Sequence, residues 1–167
     1  MRSFPKIVLI EKTHKRKDFQ CEVPSLNSYL KTQVNQDIKK NLATCFVATN
    51  SQNEVIGYYT LTSYSLGREI IPKKFLKKPP SNYTAPVILL GRLARHLNQR
   101  GTGLGEHLLI DALIRSYTVS AKSIGAMAVV ADPIDSYVET FYTKYGFIKL
   151  PGSGKMFLPM KVIEQLI

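Results

Sequence analysis

Pro86 to Leu93 is a near-continuous apolar run, followed within a few residues by Arg100-Gly101-Thr102-Gly103-Leu104-Gly105 and then by a long stretch with no further glycine until Gly125. A run this apolar suits a strand buried on both faces of a sheet. From Gly103 to about Lys122, Leu104, Leu108, Ala112 and Val119 fall on or near one face, the pattern of a helix that Gly125 stops. Strand, glycine loop and helix in that order commit the chain to a layered α/β architecture.

The flanking segments extend this pattern in both directions. Lys6 to Ile10 suits a first strand and leads into the basic turn His14-Lys15-Arg16-Lys17. From Pro24, Leu26, Leu30, Val34 and Ile38 recur every four residues and predict one apolar helix face. Thr44 to Thr49 and Glu54 to Leu66 read as two strands of a hairpin across the turn-prone Asn50-Ser51-Gln52-Asn53. Residues 67 to 83 carry Pro72, Pro79 and Pro80 among lysines and read as an exposed loop or short helix. After the long helix, Ala126 to Ala131 is a short buried strand, and Asp135 is suited to cap a helix running to about Tyr145, with Gly146 ending it. Phe147 to Leu150 and Lys155 to Met160 are the last predicted strands, parted by Pro151-Gly152-Ser153-Gly154. The prediction is a single domain over residues 1–167, with a mixed central sheet flanked by helices.

Charge points to a class of partner. The chain has 23 Lys and Arg against 12 Asp and Glu, a formal charge of +11, so its surface attracts polyanions, nucleic acid first among them. The same excess would also serve solubility or a phosphorylated cofactor. No apolar run approaches the roughly 20 residues that span a bilayer, and Met1 to Glu11 has no signal-peptide pattern, so the expected location is the cytoplasm, away from the membrane. The two cysteines, Cys21 and Cys45, and the three histidines, His14, His96 and His107, show no metal-ligand spacing, and no metal is expected.

Alternate glycines directly before a helix leave backbone N–H groups uncovered, where the helix adds partial positive charge. Such a loop holds phosphate, though it also serves simply to reverse a chain. No Gly-Lys-Ser/Thr follows, so it is not a Walker A loop, and Glu106 stands where GxGxxG requires its last glycine. Arg100 can add a charge-assisted contact to a pyrophosphate.

Arg100-x-x-Gly103-x-Gly105 between a strand and a long helix resembles the cofactor motif of the GNAT acetyltransferases. Phe141-Tyr142-Thr143-Lys144-Tyr145-Gly146-Phe147 resembles their FYxxxGF segment, and Asp135 stands where relatives commonly have Asn. Phe19-Gln20-Cys21-Glu22-Val23-Pro24-Ser25-Leu26-Asn27-Ser28-Tyr29-Leu30 is similar to the FxCGxxxLNxxL stretch of GNAT toxins from bacterial type II toxin-antitoxin systems, with Glu22 in place of the usual glycine. Gly57-Tyr58-Tyr59-Thr60-Leu61 and Leu90-Gly91-Arg92-Leu93-Ala94 extend that similarity to nearly the whole chain.

The resemblance implies a GNAT fold and acetyl-CoA as co-substrate. Its pyrophosphate would lie on Arg100, Gly101, Thr102, Gly103, Leu104, Gly105 and Glu106, with Asp135 as a further contact. Leu93, Ala94 and Arg95 would match the splayed strand that pairs with the pantetheine arm and polarises the acetyl carbonyl. Tyr142 would protonate the departing sulfur: a phenol of pKa about 10 is still protonated at neutral pH. Taken alone, Tyr142 also suits a packed aromatic beside Phe141, and Tyr145 is its competitor for the role.

The sequence offers no evident general base. An α-amine, with a pKa of about 7.7 to 8.0, is partly neutral near pH 7, whereas a lysine side chain near 10.4 needs help. This favours an α-amino acceptor, and the resemblance names it as aminoacyl-tRNA, with translation blocked as the result. Candidate tRNA contacts are Lys15, Arg16, Lys17, Lys39, Lys40, Lys73, Lys74, Lys77, Lys78 and Arg92, which would position phosphates without reading sequence. A cognate antitoxin with a ribbon-helix-helix DNA-binding domain and a homodimeric state are further implications of the resemblance. The alternatives are a GNAT acting on a small amine or protein N-terminus, and a non-enzymatic RNA-binding module.

Overall fold

The computed structural model describes residues 3–76 and 84–167. Seven strands make one mixed sheet in the order β1-β2-β3-β4-β5-β7-β6. They are β1 Ile7–Leu9, β2 Thr44–Thr49, β3 Val55–Leu66, β4 Ala85–Arg95, β5 Ala128–Ala131, β6 Ile148–Leu150 and β7 Lys155–Pro159. The helices are α1 Pro24–Ser28, α2 Val34–Lys39, α3 Leu104–Lys122, α4 Ser136–Lys144 and α5 Met160–Leu166. Two compact units divide the chain: residues up to Thr62 with Gly91–Ala112, and Ser63–Leu90 with Leu113–Ile167. The chain passes from one to the other within β3, β4 and α3.

In the first unit β1 and β3 both pair antiparallel with β2, placing Ile7 opposite Ala48 and Thr44 opposite Leu61. The β2–β3 turn closes as the sequence predicts. Asn50 Oδ1 accepts from the Gln52 and Glu54 amides at 3.0 and 2.9 Å, and Asn53 takes a left-handed φ of 63°. Tyr29–Gln33 forms a π-helical turn between α1 and α2, so the predicted helix exists with its middle unwound. The cause is legible in the spacing. A four-residue repeat overshoots the 3.6-residue α turn, and a wider turn returns Leu30 and Val34 to one buried face with Phe19, Cys45, Val47 and Tyr58.

The second unit holds the parallel β4–β5 pair, Ile88 opposite Val129 and Leu90 opposite Ala131, with β7 antiparallel to both β5 and β6. All four β5 residues are buried, as expected for the strand of a covered sheet. The predicted irregular segment contains short 3-10 turns at Arg68–Ile70 and Lys73–Phe75. Helix α5 is an addition to the sequence-based expectation. Pro159 ends β7, the Met160 amide donates to the Met127 carbonyl at 2.9 Å, and Met160 and Ile163, one turn apart, are buried. Among the described residues, no helix is long and apolar enough to cross a membrane.

Candidate active site

β4 ends at Arg95, and His96 turns the chain into a single 3-10 turn, Leu97–Gln99. His96 Nδ1 accepts from the Asn98 amide at 3.1 Å, which leaves Nε2–H to face the Asp18 carbonyl, also at 3.1 Å. Gly101 and Gly103 then adopt φ of 76° and 87°, the left-handed region that an L side chain resists. Thr102 Oγ1 donates to the Gln99 carbonyl at 2.7 Å and accepts from the Leu104 amide at 3.3 Å, so it fixes the loop and meets one of the free donors of the first turn of α3.

Gly105 differs from the two glycines before it. It lies within α3 with no positive φ, and a Cβ built on it would meet nothing within 4 Å. Neither backbone conformation nor internal packing demands glycine there. Open space beside Gly105 in the first turn of a helix, where N–H groups have no partner within the helix, leaves room for a diphosphate, so the loop fits that group. Behind the loop, Gly57 brings β3 close to α3. A Cβ there would lie 2.8 Å from Leu108 Cδ1 and 3.2 Å from Leu104 Cδ2.

Arg100, predicted as the loop's cationic contact, meets a residue 78 positions earlier in the chain. Glu22 Oε1 lies 3.0 Å from Arg95 Nη1 and 3.3 Å from Arg100 Nη2. Burial pushes the Glu22 carboxyl up, but hydrogen bonding and the two guanidinium charges outweigh it and hold the group below its usual range. The segment is pinned from behind: the Cys21 amide donates to Asn27 Oδ1 at 2.8 Å. Both cysteines are free and buried.

Arg92 lies with its guanidinium carbon 3.5 Å from the centroid of the Tyr29 ring, on the π turn. The Tyr29 hydroxyl donates to Asp37 Oδ2 at 2.8 Å. Burial, then this bond, pushes the Tyr29 pKa upward. The stack holds the Arg92 guanidinium in place within the unit that carries α1 and α2.

Tyr142 belongs to the second unit and is only 5% exposed, with its ring centroid 5.4 Å from Phe141 and 5.1 Å from Phe147. Among the described residues no hydrogen bond engages its hydroxyl. Burial, with a smaller contribution from the Asp132 charge, raises its pKa, so the phenol keeps its proton throughout the neutral range. Tyr145, its competitor, is half-buried against Phe141 at 5.5 Å. Asp135 caps α4, its Oδ1 accepting from the Val138 amide at 2.9 Å, as the sequence predicts.

No protein-family model matches the chain. It is 34% identical over 129 residues to a tRNA-acetylating toxin of Mycobacterium tuberculosis (strain ATCC 25618 / H37Rv), across 77% of this chain and 75% of that protein. The chain belongs to the GNAT family of tRNA-acetylating toxins. Two solved toxins superpose on this one over nearly its full length. A mutant of KacT matches with a TM-score of 0.89 and 27% identity, covering 99% of this chain and all of the other (100%). AtaT complexed with acetyl-methionyl-tRNAfMet matches with a TM-score of 0.88 and 27% identity, covering 96% and 98%.

The basic residues of the toxin do not behave as one set. Arg16 is half-buried and donates to Asn35 Oδ1 at 2.8 Å, tying the basic turn to α2. Lys15 and Lys17 are exposed and line a cavity of about 250 Å³ with Asp18, Glu54, His96 and Asn98. Lys39 and Lys40 are exposed at the end of α2. Lys73 and Lys74 are exposed in the second unit, and Lys77 and Lys78 lie outside the described residues. Sequence reasoning found Arg92 and Arg100 but missed their partners, Tyr29 and Glu22. The only available signal was Glu22 itself, a charged residue where the motif has glycine.

Proposed function

We propose that this toxin transfers the acetyl group of acetyl-CoA to the α-amino group of aminoacyl-tRNA and so blocks translation. The observation that carries the proposal is the Arg100–Gly105 loop, whose third glycine faces open space for no internal reason. Acetyl-CoA supplies an activated acetyl thioester. The loop amides and Arg100 hold its diphosphate, and backbone groups of Leu93 to Arg95 on β4 pair with the pantetheine arm and polarise the acetyl carbonyl. As the amine nitrogen bonds to the carbonyl carbon and the C–S bond breaks, Tyr142 donates its phenolic proton to the sulfur; solvent takes the surplus amine proton and returns one to the phenolate before the next turnover.

An α-amine needs no dedicated base near neutral pH, its pKa being about 7.7 to 8.0, and the acetyl-methionyl-tRNA bound to AtaT carries its acetyl on an aminoacyl group. Arg92, held against Tyr29, and the exposed Lys15, Lys17, Lys39, Lys40, Lys73 and Lys74 are the candidate cations for tRNA phosphates. Asp135, whose carboxylate caps α4, completes the proposed cofactor contacts. Residues 1–167 act as one functional domain in this reading, since β3, β4 and α3 each run through both units. The toxin would work in the cytoplasm as a homodimer, restrained by an antitoxin with a ribbon-helix-helix DNA-binding domain.

Incubation with radiolabelled acetyl-CoA and total charged tRNA tests the proposal. The label is expected on aminoacyl-tRNA, not on deacylated tRNA, with a rate that falls steeply as salt rises. Label on small amines or protein N-termini instead, indifferent to salt, would overturn the tRNA assignment.

A further inference from the structure

The side chain that occupies Arg100 belongs to this chain itself. Glu22 offers one carboxylate oxygen to two guanidinium groups, at 3.0 Å to Arg95 and 3.3 Å to Arg100. The two contacts are unequal. The Arg95 side chain is 24% exposed and makes the shorter contact, whereas that of Arg100 is 70% exposed and makes the longer one. The backbone beside Glu22 is held, since Cys21 is buried and its amide is fixed to Asn27, so the carboxylate reaches only as far as its own side chain allows. Of the three groups, Arg100 is the one free to change partner.

We propose that Glu22 is an internal counter-anion of the cofactor loop: it holds Arg100 until the diphosphate of acetyl-CoA takes Arg100 from it, and it then remains on Arg95. This rests on the reading of the Arg100–Gly105 loop as the diphosphate site. The cluster of two arginines and one glutamate carries a net charge of +1, so a diphosphate meets half the positive charge it would meet without Glu22, and it must break an ion pair to gain Arg100. Glu22 therefore raises the concentration of acetyl-CoA at which the loop fills. A glycine at this position, as in the motif the segment otherwise matches, would leave Arg100 unpaired with any residue of that segment.

Calorimetric titration of acetyl-CoA into the wild type, E22Q, E22G, R100A and E22Q/R100A tests the proposal, with circular dichroism to show that each variant is folded. An exposed ion pair is weak, so E22Q and E22G are expected to bind about two- to fivefold more tightly and to lower the KM for acetyl-CoA by a similar factor. The gain should vanish in the R100A background, which a merely structural role for Glu22 would not produce. Equal or weaker binding by E22Q and E22G, in a protein whose R100A variant has lost affinity, overturns the role of Glu22 and leaves the loop assignment standing. Wild-type affinity in R100A removes Arg100 from the diphosphate site and overturns the role of Glu22 with it.

Discussion

Gly105→Ala separates the demands of folding from those of the cofactor, because they have opposite signs at this position. For folding, alanine is better. Gly105 sits in the first turn of α3 without a positive φ, and the added methyl meets nothing within 4 Å. Alanine is favoured over glycine in a helix by about 0.5–1 kcal/mol, partly because the unfolded chain loses freedom. For a chain of this size that corresponds to a rise in Tm of about 1–4 °C.

For the cofactor, on the proposed reading of the loop, the same methyl would occupy open space that the diphosphate uses. A phosphate oxygen held off by a methyl group loses at least one amide contact, and a hydrogen bond to a charged group contributes about 1.5–3 kcal/mol. Acetyl-CoA affinity should fall by about ten- to a hundredfold. Thermal melts followed by circular dichroism and calorimetric titration with acetyl-CoA read the two effects on one sample. Gly101→Ala is the contrasting control: its Cβ also meets nothing, but its φ of 76° imposes strain of about 1–2 kcal/mol, so Tm should drop. A Gly105→Ala protein that melts higher and binds acetyl-CoA unchanged would show that the open face of this glycine does not receive the diphosphate.

Tyr142→Phe should keep the fold, since no hydrogen bond among the described residues engages the hydroxyl, and should keep acetyl-CoA affinity while losing at least about a hundredfold in turnover. Tyr145→Phe should turn over near the wild-type rate, and the reverse ranking would transfer the proton-donor role. Burial raises the Cys45 thiol pKa from 9.0 to about 12, so the folded state keeps its proton to higher pH than the unfolded state does. That contribution to stability, up to about 4 kcal/mol, is complete below about pH 9 and is lost progressively from there to about pH 12. Urea midpoints measured between pH 8 and 10.5 should fall in the wild type and fall less steeply in Cys45→Ala; parallel slopes would refute the assignment. Cys21, and above pH 10 Tyr29, Tyr58 and Tyr142, all raised chiefly by burial, contribute to the slope that remains.

What was legible in the sequence is what short-range chemistry decides. The run Pro86 to Leu93 marked β4, the Asn50 to Asn53 turn marked the β2–β3 hairpin, and Asp135 marked the start of α4, because apolar periodicity and capping act within one turn or one strand. The π turn at Tyr29–Gln33 was half legible: the repeat of four was visible, but that the backbone would widen to accommodate it depends on the strand residues Cys45, Val47 and Tyr58 packed against that face. Helix α5 was hidden because Lys155 to Met160 reads as one apolar run, and only Pro159, together with the bond from Met160 to Met127, divides it.

The site divides along the same line. Gly101, Gly103 and Gly105 look alike in the sequence, yet two answer to backbone conformation and the third to open space, a distinction that exists only once the loop is built. Likewise the sequence marks Arg100 as the loop's cation and Glu22 as a departure from the motif, but that the two meet each other and Arg95 appears only once the loop is built. Glu22 shows how a departure from a motif becomes informative. A glycine replaced by a carboxylate would be neutral on an open surface, but here it meets two arginines, and one of them is the cation proposed to meet the diphosphate. On the proposed reading of the loop, the carboxylate is expected to act on cofactor affinity, which the E22Q and E22G titrations read directly.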